Sequence, residues 1–131
     1  MIVVDSSALI AILFKETEKQ SFEAILSGGD RCVISAVNAH ETACVLRLRH
    51  SQAMVEELWR LLEENEIEIV PFDESQVRAA AVALDRYGKG VDSKARLNLC
   101  DCAAYALAKA MNSPLLFKGA DFAATDERAV I

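Results

Sequence analysis

Ile2-Val3-Val4-Asp5-Ser6-Ser7-Ala8-Leu9-Ile10-Ala11-Ile12-Leu13-Phe14 decides the fold. Three β-branched residues in a row read as a short strand buried on both faces, the pattern of a parallel sheet. Asp5 closes it, and Ser6 or Ser7 then caps a short apolar helix through Phe14. Strand and helix signals keep alternating downstream. Thr17 to Leu26 reads as a helix stopped by Gly28-Gly29-Asp30, and Cys32-Val33-Ile34 as a strand. Ser35 caps a helix running to about His50. Val55, Leu58, Trp59 and Leu62 follow the i, i+3, i+4, i+7 rule, making 52–64 an amphipathic helix with Trp59 in its core. Ile67 to Val70 is a strand, 76–87 an Ala-rich helix, and Gly88-Lys89-Gly90 opens a loop. Asn98 caps a helix to about Asn112, Pro114 to Phe117 is a strand, and Ala129-Val130-Ile131 a last short one. This alternation predicts an α/β sandwich with a central, mainly parallel sheet flanked by helices.

The 131 residues, 53% of them hydrophobic, suit one domain over 1–131. No run reaches the roughly 20 apolar residues of a membrane span, and Met1 to Asp5 lacks the basic start of a signal peptide, so a cytoplasmic protein is expected. The net charge of −6 disfavours a binder that grips nucleic acid by a broad basic surface. The four cysteines (Cys32, Cys44, Cys100, Cys102) sit in apolar runs without CxxC spacing. They read as small buried hydrophobes in a reducing compartment, and not as a zinc clamp.

In an open parallel sheet, ligands collect at the carboxyl ends of the strands. Asp5 ends the first strand, and Asp121 follows the last full one after Lys118-Gly119. Glu41 lies on the helix leaving Ile34-Ser35, and Asp101 in the first turn of the helix leading into Leu115-Leu116. All four acids belong at that rim. Glu41 shares a helix face with Val37, Cys44, Val45 and Leu48, and Asp101 shares one with Ala104, Tyr105 and Ala108. A charge on a core-facing stripe is costly unless it is paired or binds a metal. Crowded carboxylates hold protons unless a hard cation relieves their repulsion, and an all-oxygen set suits Mg²⁺ or Mn²⁺. Structural readings stand beside this one: Asp5 and Asp121 as turn residues, Asp101 as half of a capping box with Asn98, and Glu41 paired to a distant Arg. Taken singly these compete evenly. They do not explain why all four point to one edge.

These segments resemble the PIN-domain family, and within it the VapC-type ribonuclease toxins of toxin–antitoxin pairs. The matching stretches are Val3 to Leu9, Ser35-Ala36-Val37 with Glu41-Thr42-Ala43, Ala95 to Cys102 with Ala104 to Ala108, and Leu115 to Phe122 with Thr125-Asp126. The resemblance covers essentially the whole chain. It implies a PIN-like α/β/α sandwich and metal-dependent endonucleolytic cleavage of RNA leaving a 5′-phosphate. The family's acids fall on Asp5, Glu41, Asp101 and Asp121. The three aspartates are then direct or water-mediated ligands of one or two Mg²⁺ or Mn²⁺ ions, and Glu41 is a ligand or orients the attacking water. Ser7 matches a supporting polar residue with Ser6 beside it, and Thr125 with Asp126 matches a supporting pair. One position departs: Cys100 stands where the group usually has Gly, which puts substrate fit in question.

Phosphate approaching acids needs local cations. Lys15, Arg47, Arg49, Lys89, Lys94, Arg96 and Lys118 are available, and Lys94, Arg96 and Lys118 are best placed. His40 reads as structural and Tyr105 as core. The resemblance also implies an antitoxin seated in a groove between helices, covering the site, and a homodimer. The competing functions are a PIN-like interaction module without catalysis, and a Mg²⁺-dependent phosphotransfer or phosphatase domain. The phosphatase chemistry wants an Asp two residues after Asp5, where Ser7 stands.

Overall fold

The computed structural model describes residues Met1–Ile131. The elements are β1 (Ile2–Val4), α1 (Ser6–Leu13), α2 (Lys19–Leu26), β2 (Cys32–Ser35), α3 (Ala36–Arg49), α4 (Gln52–Glu64), β3 (Glu68–Val70), α5 (Glu74–Tyr87), α6 (Leu99–Ala110) and β4 (Leu115–Leu116), followed by a 3₁₀ turn at Phe122–Ala124. The four strands form one sheet in the order β3-β2-β1-β4, and every pairing is parallel. The expected sandwich of a parallel sheet between helices is what the chain adopts.

Side chains alternate across a strand, so each strand feeds two layers. Ile2, Val4, Cys32, Ile34 and Leu116 face one side, packed with Leu9 and Ile12 of α1, Phe22 of α2 and Leu58 of α4. Val3, Val33 and Leu115 face the other, against Ala83 of α5 and Ala104 and Leu107 of α6. Burial on both faces explains the unbroken apolar runs. The chain builds outward from β1 to β2 and β3, then crosses back to lay β4 on β1's other side. The order therefore reverses between β1 and β4, and the crevice at their carboxyl ends is where such sheets bind ligands.

Several expectations need correction. The buried residues of α3 are Asn38, Ala39, Thr42 and Leu46, while Cys44 is exposed and Leu48 is 85% exposed. The face is turned because α3 docks its polar Asn38 against α6, which carries the apolar Leu48 outside. The Cys44 sulfur is exposed and has His40 as its hydrogen-bond partner, and Cys100 is half-buried, so Cys32 and Cys102 alone are core thiols. Trp59 is 37% exposed at the edge of α4, whose core contacts come from Val55, Leu58 and Leu62. The tail makes a single bridge, Ala129 to Leu115, and no strand. The α1 cap is Asp5 itself, which accepts from the Ser7 N–H. No helix is long and apolar enough to cross a membrane.

Candidate active site

Asp5 sits where β1 becomes α1, 3% exposed. Its N–H donates to the Leu116 carbonyl (2.9 Å), which fixes it against β4. Its Oδ2 accepts from the N–H and Oγ of Ser7, at 3.0 and 2.6 Å. Its Oδ1 is buried with no hydrogen-bond partner. Burial pushes the Asp5 carboxyl above its ordinary range, the Ser7 bonds oppose that, and Glu41 adds to it. Ser7 Oγ also accepts from the Lys118 N–H (3.0 Å). The first site turn is thereby joined to the loop carrying Asp121. Gly119, at φ +110°, gives that loop its sharp turn.

Ser35 caps α3 by accepting from the Val37 N–H and so starts the helix at the sheet's rim. One turn on, Glu41 Oε1 accepts from Ser6 Oγ at 2.8 Å. Asp101 is the third residue of α6 and completes a reciprocal capping box. Its Oδ2 accepts from the Asn98 N–H (2.9 Å), and its own N–H donates to Asn98 Oδ1 (2.8 Å). The capping reading of Asp101 is therefore correct, and it is the cap that fixes the carboxylate at the rim. Burial raises the Asp101 pKa to about 6; the capping bond opposes the rise, and Asp5, Asp121 and Glu41 each add to it. That coupling places all four acids in one electrostatic cluster.

No Lys or Arg neutralises any of them: every ion pair of the chain involves other acids. The expected alternative of a Glu41–Arg pair is not realised. No three His, Cys, Asp or Glu side chains are gathered tightly enough to cage an ion unaided. Mg²⁺ does not ask for such a cage. It keeps several waters and takes one or two carboxylates directly. An orphaned, buried Asp5 oxygen beside an unneutralised Asp101 fits that open, oxygen-only mode.

Cys100 borders the cluster. Burial, the Glu41 carboxylate beside it, and then Asp101 and Asp5 push its thiol up to about 12. The other expected supports lie elsewhere. Thr125 Oγ1 donates to the Phe122 carbonyl (2.6 Å). Asp126 accepts from Tyr105 (2.5 Å) and Tyr87 (3.3 Å) and pairs with Lys109. These bonds tie the tail to α5 and α6, and none reaches the four acids. The Lys118 ammonium is held by Glu16 (2.8 Å) and Glu18 (3.2 Å), so its backbone N–H, not its charge, serves the site. Lys94 and Arg96 are exposed and outside any ion pair, in the loop that leads to Asn98. The residue that sequence reasoning missed is Asn38, fully buried between α3 and α6. An amide three positions before Glu41, hence on the same helical face, was the available signal.

The model of the PIN domain matches residues 2–128. The chain belongs to the PIN-domain family. Among curated relatives, this PIN domain is 40% identical over 128 residues to a protein named ribonuclease VapC from Mycolicibacterium smegmatis, covering 98% of each chain. Among solved structures it is similar to Mycobacterium tuberculosis VapC20, described as a sarcin-ricin-loop-cleaving toxin. The TM-score is 0.81 at 15% identity, over 99% of this chain and 98% of that one. A toxin–antitoxin complex from Klebsiella pneumoniae matches with a TM-score of 0.69 at 18% identity, over 96% and 93%. At these identities the two structures speak for the fold alone. The resemblance drawn from the sequence segments holds along the whole chain.

Proposed function

We propose that this chain is a Mg²⁺- or Mn²⁺-dependent endoribonuclease, acting in the cytoplasm as the toxin of a toxin–antitoxin pair, with one domain over residues 1–131. The observation that carries the reading is the buried Asp5 Oδ1 with no hydrogen-bond partner, beside acids of which none is paired to a Lys or Arg. Such a cluster is expensive to ionise unless a cation joins it. The VapC relative, 40% identical over nearly its full length, supports RNA as substrate.

When bound, a divalent ion supplies activated water and neutralises charge building at the scissile phosphate. The rest falls to this chain's residues. Asp5 offers its free Oδ1 while Ser7 holds Oδ2 and so fixes the carboxylate plane. Asp101, clamped by its capping box, offers the edge not engaged by Asn98. Asp121, exposed on the loop after β4, adds its charge beside Asp101, and Glu41, oriented by Ser6, takes or directs a proton of the attacking water. Lys94 and Arg96 meet the RNA backbone at the mouth. Their free charges suit that role, whereas the Lys118 ammonium is occupied by Glu16 and Glu18.

The toxin–antitoxin assembly among the similar structures supports an antitoxin partner. For a homodimer, support comes from an apolar cavity of about 300 Å³ between α3, α5 and α6, rimmed by exposed Val77, Leu84 and Leu99.

The test is RNA cleavage by purified, partner-free protein. Cleavage is expected with Mg²⁺ or Mn²⁺ and must stop in excess EDTA; cleavage unchanged in chelator contradicts the proposal. In the same assay, Lys94→Ala with Arg96→Ala is expected to raise KM and flatten the dependence of binding on salt. An unchanged salt slope removes those two residues from the substrate path.

A further inference from the structure

Asn38 is fully buried, and its bonds join three elements of the site. Its Nδ2 donates to the Cys100 carbonyl oxygen at 3.0 Å, tying α3 to the backbone of α6 beside the contact of the Cys100 thiol with Glu41. Its own carbonyl lies 3.2 Å from Ser6 Oγ, the hydroxyl that also reaches Glu41 Oε1 at 2.8 Å. Asn38 stands three residues before Glu41 on one helix and grips the residue before Asp101 on another.

As a device for stability this arrangement makes little sense. The Asn38 Oδ1 is buried without a donor. An unsatisfied buried acceptor costs as much as or more than a single hydrogen bond contributes. An apolar side chain in its place removes that cost, and the Cys100 carbonyl it leaves behind still lies in the α6 hydrogen-bond ladder. What the amide does supply is direction. Packing alone lets two helices slide, whereas a hydrogen bond to one carbonyl fixes their register.

We propose that Asn38 is a positioning residue that sets the separation between Glu41 and Asp101 across the acid cluster, so that ion affinity and turnover depend on its amide while the fold does not. The inference rests on the nuclease reading above. Groups that orient ligands without touching the ion typically govern affinity by about 10- to 100-fold.

The test compares wild type with Asn38→Leu, which keeps the branched shape, and Asn38→Ala, which avoids overpacking. Mn²⁺ affinity is measured by titration calorimetry, thermal stability by melting, and cleavage by kcat and KM. Expected for Asn38→Leu are a melting temperature at or above that of wild type, Mn²⁺ binding weakened about tenfold or more, a lower kcat and little change in KM. If the leucine proves too large and the variant melts early, Asn38→Ala carries the comparison, with affinity lost out of proportion to stability. Wild-type Mn²⁺ affinity and kcat in both variants overturn the proposal, as does affinity falling only in step with melting. A wild-type protein that neither binds Mn²⁺ nor cuts RNA overturns the nuclease reading along with it, which separates the two failures.

Discussion

Asp5→Asn is expected to leave the protein folded and to slow RNA cleavage by about two to four powers of ten, the several kcal/mol a metal contributes to such a reaction. Asparagine caps a helix as well as aspartate does. Its amide oxygen accepts the same two bonds from Ser7 that Asp5 Oδ2 accepts now. The neighbours Val4 and Ala8 are fully buried and are not disturbed by a change of one atom. What disappears is a buried negative charge that no protein group balances. Single-turnover cleavage alongside a melting curve separates the two consequences. A near-normal rate in the folded variant would reject Asp5 as a ligand.

Asp101→Asn should move activity and stability in opposite directions. The capping box survives, because an asparagine oxygen can still accept from the Asn98 N–H. The repulsion from Asp5, Asp121 and Glu41 does not survive. In the metal-free protein the Asp101 carboxyl has a folded pKa of about 6, above its ordinary value of 3.8. Between these values the folded state binds more protons than the unfolded chain. Stability from this group therefore falls as pH rises from about 4 to 6, then levels off. Asp5, also shifted upward, acts in the same direction. Melting in EDTA should show Asp101→Asn higher than wild type by a few degrees at pH 7, about 2–8 °C for each kcal/mol relieved. The gap should close towards pH 4, where both side chains are neutral. Cleavage by the variant should fall as steeply as for Asp5→Asn. A variant that melts lower than wild type at pH 7 would mean that Asp101 is chiefly structural.

Sequence patterning disclosed most of this architecture, and its failures have physical causes. β1 and the turn at Asp5 were legible because a strand buried on both faces leaves an uninterrupted apolar run. The 52–64 helix was legible because α4 buries one regular stripe, although Trp59 lies at the stripe's margin and stays partly in solvent. The buried face of α3 was not legible. Hydrophobicity favoured Val37, Cys44 and Leu48, whereas the helix turns Asn38 and Thr42 inward; Thr42 Oγ1 donates within the helix to the Asn38 carbonyl at 2.7 Å, and the Asn38 amide donates to the Cys100 carbonyl on α6. A buried polar contact of this kind is defined by its partner 62 residues away, which periodicity does not see. The acid rim was legible because in a parallel sheet every strand exit and helix entry on one side faces one edge. The fate of Lys118 was not, because its competition between substrate and Glu16 and Glu18 is decided only when the α1–α2 connection folds beside it.

The central claim is that Asp5, Glu41, Asp101 and Asp121 together hold the ion that the reaction needs. A crystal of the active protein grown with Mn²⁺ tests it directly, through the anomalous scattering of the metal. The expected result is a Mn²⁺ peak within coordination distance of Asp5 Oδ1 and of the Asp101 carboxylate, with Asp121 and Glu41 reached directly or through water, and no such peak in Asp5→Asn. A Mn²⁺ ion bound elsewhere on a protein that still cleaves RNA, with this rim empty, would contradict the account.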